Sequence, residues 1–111
     1  MTAQRKRLAA LYEQQKYCQD EIQKLTVHPN GKTYGQCISD LIYKHIDPEY
    51  TDKRTYQMIP GVYQEYQKLH MELSSFIGNK SKVFTKDEYK AATDYMSAKW
   101  HCNISSEYRV N

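Results

Sequence analysis

The stretch from Pro60 to Gly78 constrains the fold more than any other part of the chain. Val62, Tyr66, Leu69, Leu73 and Phe76 recur at alternating spacings of four and three, the repeat of one helix face. A second row, Tyr63, His70 and Ile77, runs beside it at intervals of seven. At about 100° per residue the two rows cover roughly 140° of the helix, wider than a two-helix seam requires. Such a helix has two neighbours to serve, which predicts the central member of a small bundle. Pro60 suits a first helical turn, where its missing N–H costs nothing, and Gly78 suits the position just past the end.

The flanking segments supply the partners. Residues 2–25 read as one long helix, with Leu8, Leu11, Cys18, Ile22 and Leu25 on a single stripe interrupted by Gln15. Val27-His28-Pro29-Asn30-Gly31-Lys32 is a loop. Thr33 and Gln36 then form a capping box, and the helix they open, 33–46, carries Tyr34, Cys37, Ile38, Leu41 and Ile42 inward, with His45 or Ile46 beside them. Asp47-Pro48 closes it, because the residue before proline disfavours helical backbone. Residues 49–59 carry no clear period. After an exposed basic turn, Asn79 to Lys82, a second capping box pairs Thr85 with Glu88, and Phe84 and Tyr89 occupy the two positions of a hydrophobic staple. That helix, 85–100, turns Tyr89, Ala92, Met96 and Trp100 inward with Tyr95 alongside, and 101–111 forms a C-terminal tail that docks or hangs free. The expected architecture is all-α: one domain, 1–111, an irregular bundle of about four helices with mostly antiparallel neighbours.

Composition narrows the function classes. Charged residues make up 26% and hydrophobic residues 40% of 111, a globular balance that argues against wholesale disorder. The net charge of +3 permits nucleic-acid binding without demanding it. Three cysteines, Cys18, Cys37 and Cys102, are an odd set with no close pair, which fits a reducing, cytoplasmic setting better than a disulfide framework. No run reaches the roughly eighteen apolar residues of a membrane span, and Arg5-Lys6-Arg7 is not followed by a signal-peptide apolar region. The four glycines are spread singly, so no phosphate-binding loop is present, and no paired-carboxylate motif or nucleophile elbow appears. Catalysis is not expected. Cys18, Cys37, His101 and Cys102 lack the paired spacing of a zinc site, so no metal or other cofactor is expected either.

What remains is binding. Eleven tyrosines against two phenylalanines and one tryptophan either fill a small core or dress an interface, since tyrosine tolerates a packed ring with a wet hydroxyl. Met71 falls opposite the main stripe of its helix and should be exposed. Tyr63, Met71, Tyr95 and Met58 are the candidate protein-binding residues of a non-enzymatic interaction module, a subunit of a larger assembly or a small inhibitor. The alternative is a nucleic-acid surface built from Arg5, Lys6, Arg7, Lys80 and Lys82, with tyrosine and lysine interleaved at Tyr43-Lys44 and Tyr89-Lys90. In layout, with Phe84-Thr85 opening the last long helix before a short polar tail, the chain also resembles the small helical bacteriocin immunity proteins. That likeness carries no diagnostic motif and assigns no residue. It implies a helical bundle of the kind already expected.

Overall fold

A computed structural model describes residues 3–14, 19–47, 60–79 and 83–110. Within them the protein is helical, with α1 (Ala3–Gln14), α2 (Gln19–Thr26), α3 (Tyr34–Ile46), α4 (Pro60–Ile77) and α5 (Lys86–Lys99), followed by a single 3-10 turn at Ser106–Tyr108. The all-α bundle expected from the sequence is the fold. Its first helix is not. Residues 2–25 do not form one rod, because Arg7 Nη2 meets Glu21 Oε2 at 2.8 Å. Fourteen residues along a continuous helix would hold that pair about 21 Å apart. Instead α1 and α2 pack on each other. Leu8 and Leu11 are fully buried, while Ile22 and Leu25 are half-buried.

α3, α4 and α5 pack pairwise around one core. The capping box at Thr33 closes in both directions: the Gln36 N–H donates to Thr33 Oγ1 at 3.1 Å and the Thr33 N–H to Gln36 Oε1 at 3.0 Å. From that start α3 buries Tyr34, Cys37, Ile38, Leu41 and Ile42 as the spacing predicts, and also Tyr43 and Asp40. On α4, Tyr66 and Leu73 face the core and Val62, Tyr63, Leu69 and Ile77 pack at its edge. α5 contributes Tyr89, Ala92 and Met96, and Phe84, just before it, is buried with them. The tail docks. Cys102, Ile104 and Tyr108 complete the core from the far side.

α4 ends where Gly78 turns left-handed, at φ 77°, which lets the N–H groups of Gly78 and Asn79 both return to Ser74 O, at 2.8 and 3.1 Å. A Cβ on Gly78 would meet nothing within 4 Å, so its need is conformational, not spatial. Gly78→Ala should therefore cost about 1–2 kcal/mol in chemical denaturation. His101, at the end of α5, holds the same conformation without being glycine, at φ 55°. His101→Gly should raise stability by up to about 1 kcal/mol, the relief being partly offset by unfolded-state entropy.

Candidate functional site

Two places in this bundle concentrate chemistry. The first is internal. The loop before α3 folds over the buried Cys37 and meets the tail there. His28 is buried with its ring edge-on to Tyr34 and Tyr89, at 5.7 and 5.6 Å between centroids. Its Nδ1 accepts the Asn30 N–H at 3.0 Å, which places the ring proton on Nε2, where it donates to Arg109 O at 3.1 Å. The Asn30 side-chain amide donates to Glu107 O at 3.1 Å and lies 3.6 Å from Cys37 Sγ. Asp40, also buried, accepts from Lys32 Nζ at 2.6 Å and from the Tyr108 hydroxyl at 3.2 Å. The Tyr89 hydroxyl donates to Tyr108 O.

A cysteine, a histidine and an asparagine in one neighbourhood invite comparison with a nucleophilic triad, but the arrangement is the wrong one. Both His28 nitrogens are committed to backbone groups, so the ring has no lone pair to offer the thiol. Burial pushes the Cys37 thiol up from its ordinary value, further from the thiolate a nucleophile needs. These groups hold the loop and tail together. Among the described residues no three His, Cys, Asp or Glu side chains gather as a metal site, and no helix is long and apolar enough to cross a membrane.

The second place is on the surface. Phe76, in the last turn of α4, is 58% exposed, although its position on the main stripe predicts burial. It lies at the edge of the stripe, and α5 covers only one side of it: Tyr95 packs there with ring centroids 4.3 Å apart. Tyr95 then meets Trp100 edge-on at 5.9 Å, and Trp100 stacks on His45, from the last turn of α3, at 5.7 Å and 21° between planes. Four rings from three helices thus form one row, exposed at Phe76 and His45 and half-buried between them. The Tyr95 hydroxyl is fixed by donating to Glu72 Oε1 at 2.9 Å. The Trp100 indole Nε1–H is buried and has no acceptor among the described residues. Comparison with family models, curated protein sequences and solved structures finds no match.

The sequence-based candidates divide on this geometry. Tyr95 belongs to the row. Met71 is 69% exposed, as its spacing requires, but lies about 140° around α4 from Phe76 and outside the row. Tyr63 is half-buried against Tyr66, at 6.2 Å between centroids. Met58, Lys80 and Lys82 lie outside the described residues. The basic candidates do not present a common face: Arg5 reaches Glu88 on α5 at 2.6 Å, Arg7 reaches Glu21 on α2, and Lys6 is exposed between them. Tyr43 and Tyr89, the aromatic half of the interleaved Tyr-Lys pairs, are buried in the core and cannot stack on bases. His45, Phe76 and Trp100 were not among the sequence candidates. Helical spacing places each of them on or beside an inward face, and only the packing of α5 against α4 shows that the row emerges at the surface.

Proposed function

We propose that this protein is a non-enzymatic binding module that captures a protein partner on the Phe76–Tyr95–Trp100–His45 row. The observation that carries the reading is the row itself. Aromatic residues with one face packed and the other free are the side chains that most often dominate interface energetics. Here Tyr95 and Trp100 are held by their neighbours before any partner arrives, so little rotamer freedom remains to be lost on binding. The commitment of His28 to backbone groups and the burial of Cys37 support a role without catalysis.

The test is capture from a native extract with the wild-type protein as bait, with and without nuclease, followed by mass spectrometry. The expected result is a stoichiometric protein partner that survives nuclease. Phe76→Ser should weaken its affinity by about tenfold or more, since truncating a central aromatic anchor commonly costs about 2 kcal/mol. Met71→Ala, on the opposite side of α4, should leave it unchanged. Recovery that disappears with nuclease, or that ignores Phe76→Ser and Tyr95→Ala alike, would overturn the assignment.

A further inference from the structure

Among the described residues, four cations are matched to carboxylates: Arg5 to Glu88, Arg7 to Glu21, Lys32 to Asp40 and Lys44 to Glu107. Lys90 and Arg109 are among the cations outside this set. Neither forms an ion pair among the described residues, yet both line one groove of about 330 Å³ between α5 and the docked tail. The volume is at the lower end of the range of small-molecule sites. Arg109 is held at the wall by its Nε–H, which donates to Ile104 O at 2.9 Å, and its terminal nitrogens bond to no described residue. Ser97, two turns along α5 from Lys90, and Asn103, on the tail, line the same groove, and their side chains form no hydrogen bond with any described residue. Two cations, a hydroxyl and an amide therefore line one groove, exposed and with donors that no described residue uses, a set suited to a phosphate or similar oxyanion.

The remaining lining says more about the ligand. Ile104 and Val110 provide an apolar wall, and Asp94 contributes a carboxylate that repels a bare anion but accepts from a hydroxyl. We infer that the groove between α5 and the tail binds a small phosphate ester bearing hydroxyl groups, of the sugar-phosphate class. The phosphate lies against Lys90, Arg109, Ser97 and Asn103, the carbon skeleton against Ile104 and Val110, and a hydroxyl donates to Asp94. The N-terminus of α5 plays no part: none of residues 85–88 lines the groove, and the N–H groups of Glu88 and Asp87 are capped by Asp87 Oδ1 and Gln4 Oε1, at 2.9 and 3.0 Å. The inference is independent of the aromatic row, since none of its four rings lines this groove.

Amide-resolved NMR titration at constant ionic strength tests it, with glucose 6-phosphate, glucose and inorganic phosphate as probes. Glucose 6-phosphate should produce saturable shifts confined to residues 90–97 and 102–110, glucose none, and inorganic phosphate the same pattern with weaker affinity. Lys90→Ala, an exposed substitution that leaves the packing intact, should weaken glucose 6-phosphate binding about tenfold. Lys99→Ala, on the same helix but outside the groove, should not change it. Absence of saturation, equal loss in Lys90→Ala and Lys99→Ala, or affinity for glucose 6-phosphate no better than for inorganic phosphate would each overturn the proposal.

Discussion

Arg5→Met should destabilise the protein by about 3–5 kcal/mol in chemical denaturation, a third or more of what a domain of this size commonly has. The reason is the carboxylate it leaves behind. Glu88 is only 5% exposed, and Arg5 grips it with two nitrogens, Nη2 at 2.6 Å and Nε at 3.3 Å. A buried carboxylate without its counter-charge has lost its hydration, and the Thr85 N–H and hydroxyl that it accepts, each at 3.0 Å, do not replace the arginine. The same arginine donates to Val83 O, and Gln4 beside it accepts the Asp87 N–H, so the start of α1 clamps the start of α5. Arg5→Met with Glu88→Gln should recover most of the loss. The amide is neutral, and its oxygen can still accept the Thr85 N–H that Glu88 accepts at 3.0 Å. A single-variant cost under about 1 kcal/mol would show the pair to be screened by water like an ordinary surface bridge.

Alkaline pH should unfold the protein in one cooperative step. Tyr34, Tyr43, Tyr66 and Tyr89 are all pushed above the ordinary phenol value, chiefly by burial, and Tyr108 is pushed up to about 12 by burial and the Asp40 carboxylate. A raised folded-state value means that the folded protein holds the proton more tightly than the unfolded chain does. The stabilisation is therefore complete below pH 10 and drains away as pH climbs from 10 toward 12 and beyond. For Tyr108 alone, the gap between 10 and about 12 corresponds to about 3 kcal/mol, and the other buried rings pull the same way. Phenolate absorbance and loss of helical circular dichroism should rise together. Gradual ionisation with the helical signal intact would contradict this account. Tyr108→Phe should move the midpoint to higher pH, while the same variant loses its bond to Asp40 at neutral pH.

Much of the fold was legible because its signals are local. Thr33 with Gln36, Thr85 with Glu88, Pro60 and Gly78 mark helix ends through hydrogen bonds or dihedrals that involve only neighbours in sequence. The periodic inward faces of α3 and α5 follow from the same short range. What could not be read there depends on the third dimension. The stripe from Leu8 to Leu25 is compatible with one helix or with two folded together, and the Arg7–Glu21 pair decides between them only once the chain has turned. Phe76 satisfies the period of a core face, yet burial needs a neighbour long enough to cover it. Tyr43 illustrates the reverse error: beside Lys44 it has the look of a surface stacking residue, but it lies flat on Tyr66 inside the core, 4.5 Å away at 5°. Among the described residues tyrosine serves mainly as core material, and the interface candidates are the rings that the core leaves uncovered.

The loop before α3 obtains its partners from the other end of the described chain. His28 waits for Arg109 O, 81 residues later, and Asn30 for Glu107 O, 77 residues later; the Asp40 carboxylate meets the Tyr108 hydroxyl 68 residues on. During synthesis the loop and α3 therefore leave the ribosome long before the segment that satisfies them. Helices can form as they emerge, but the buried polar layer can close only when residues 104–110 are free to reach back. The nascent chain must keep its loop and α3 soluble with those polar groups still in water, and reach its native state in one late event.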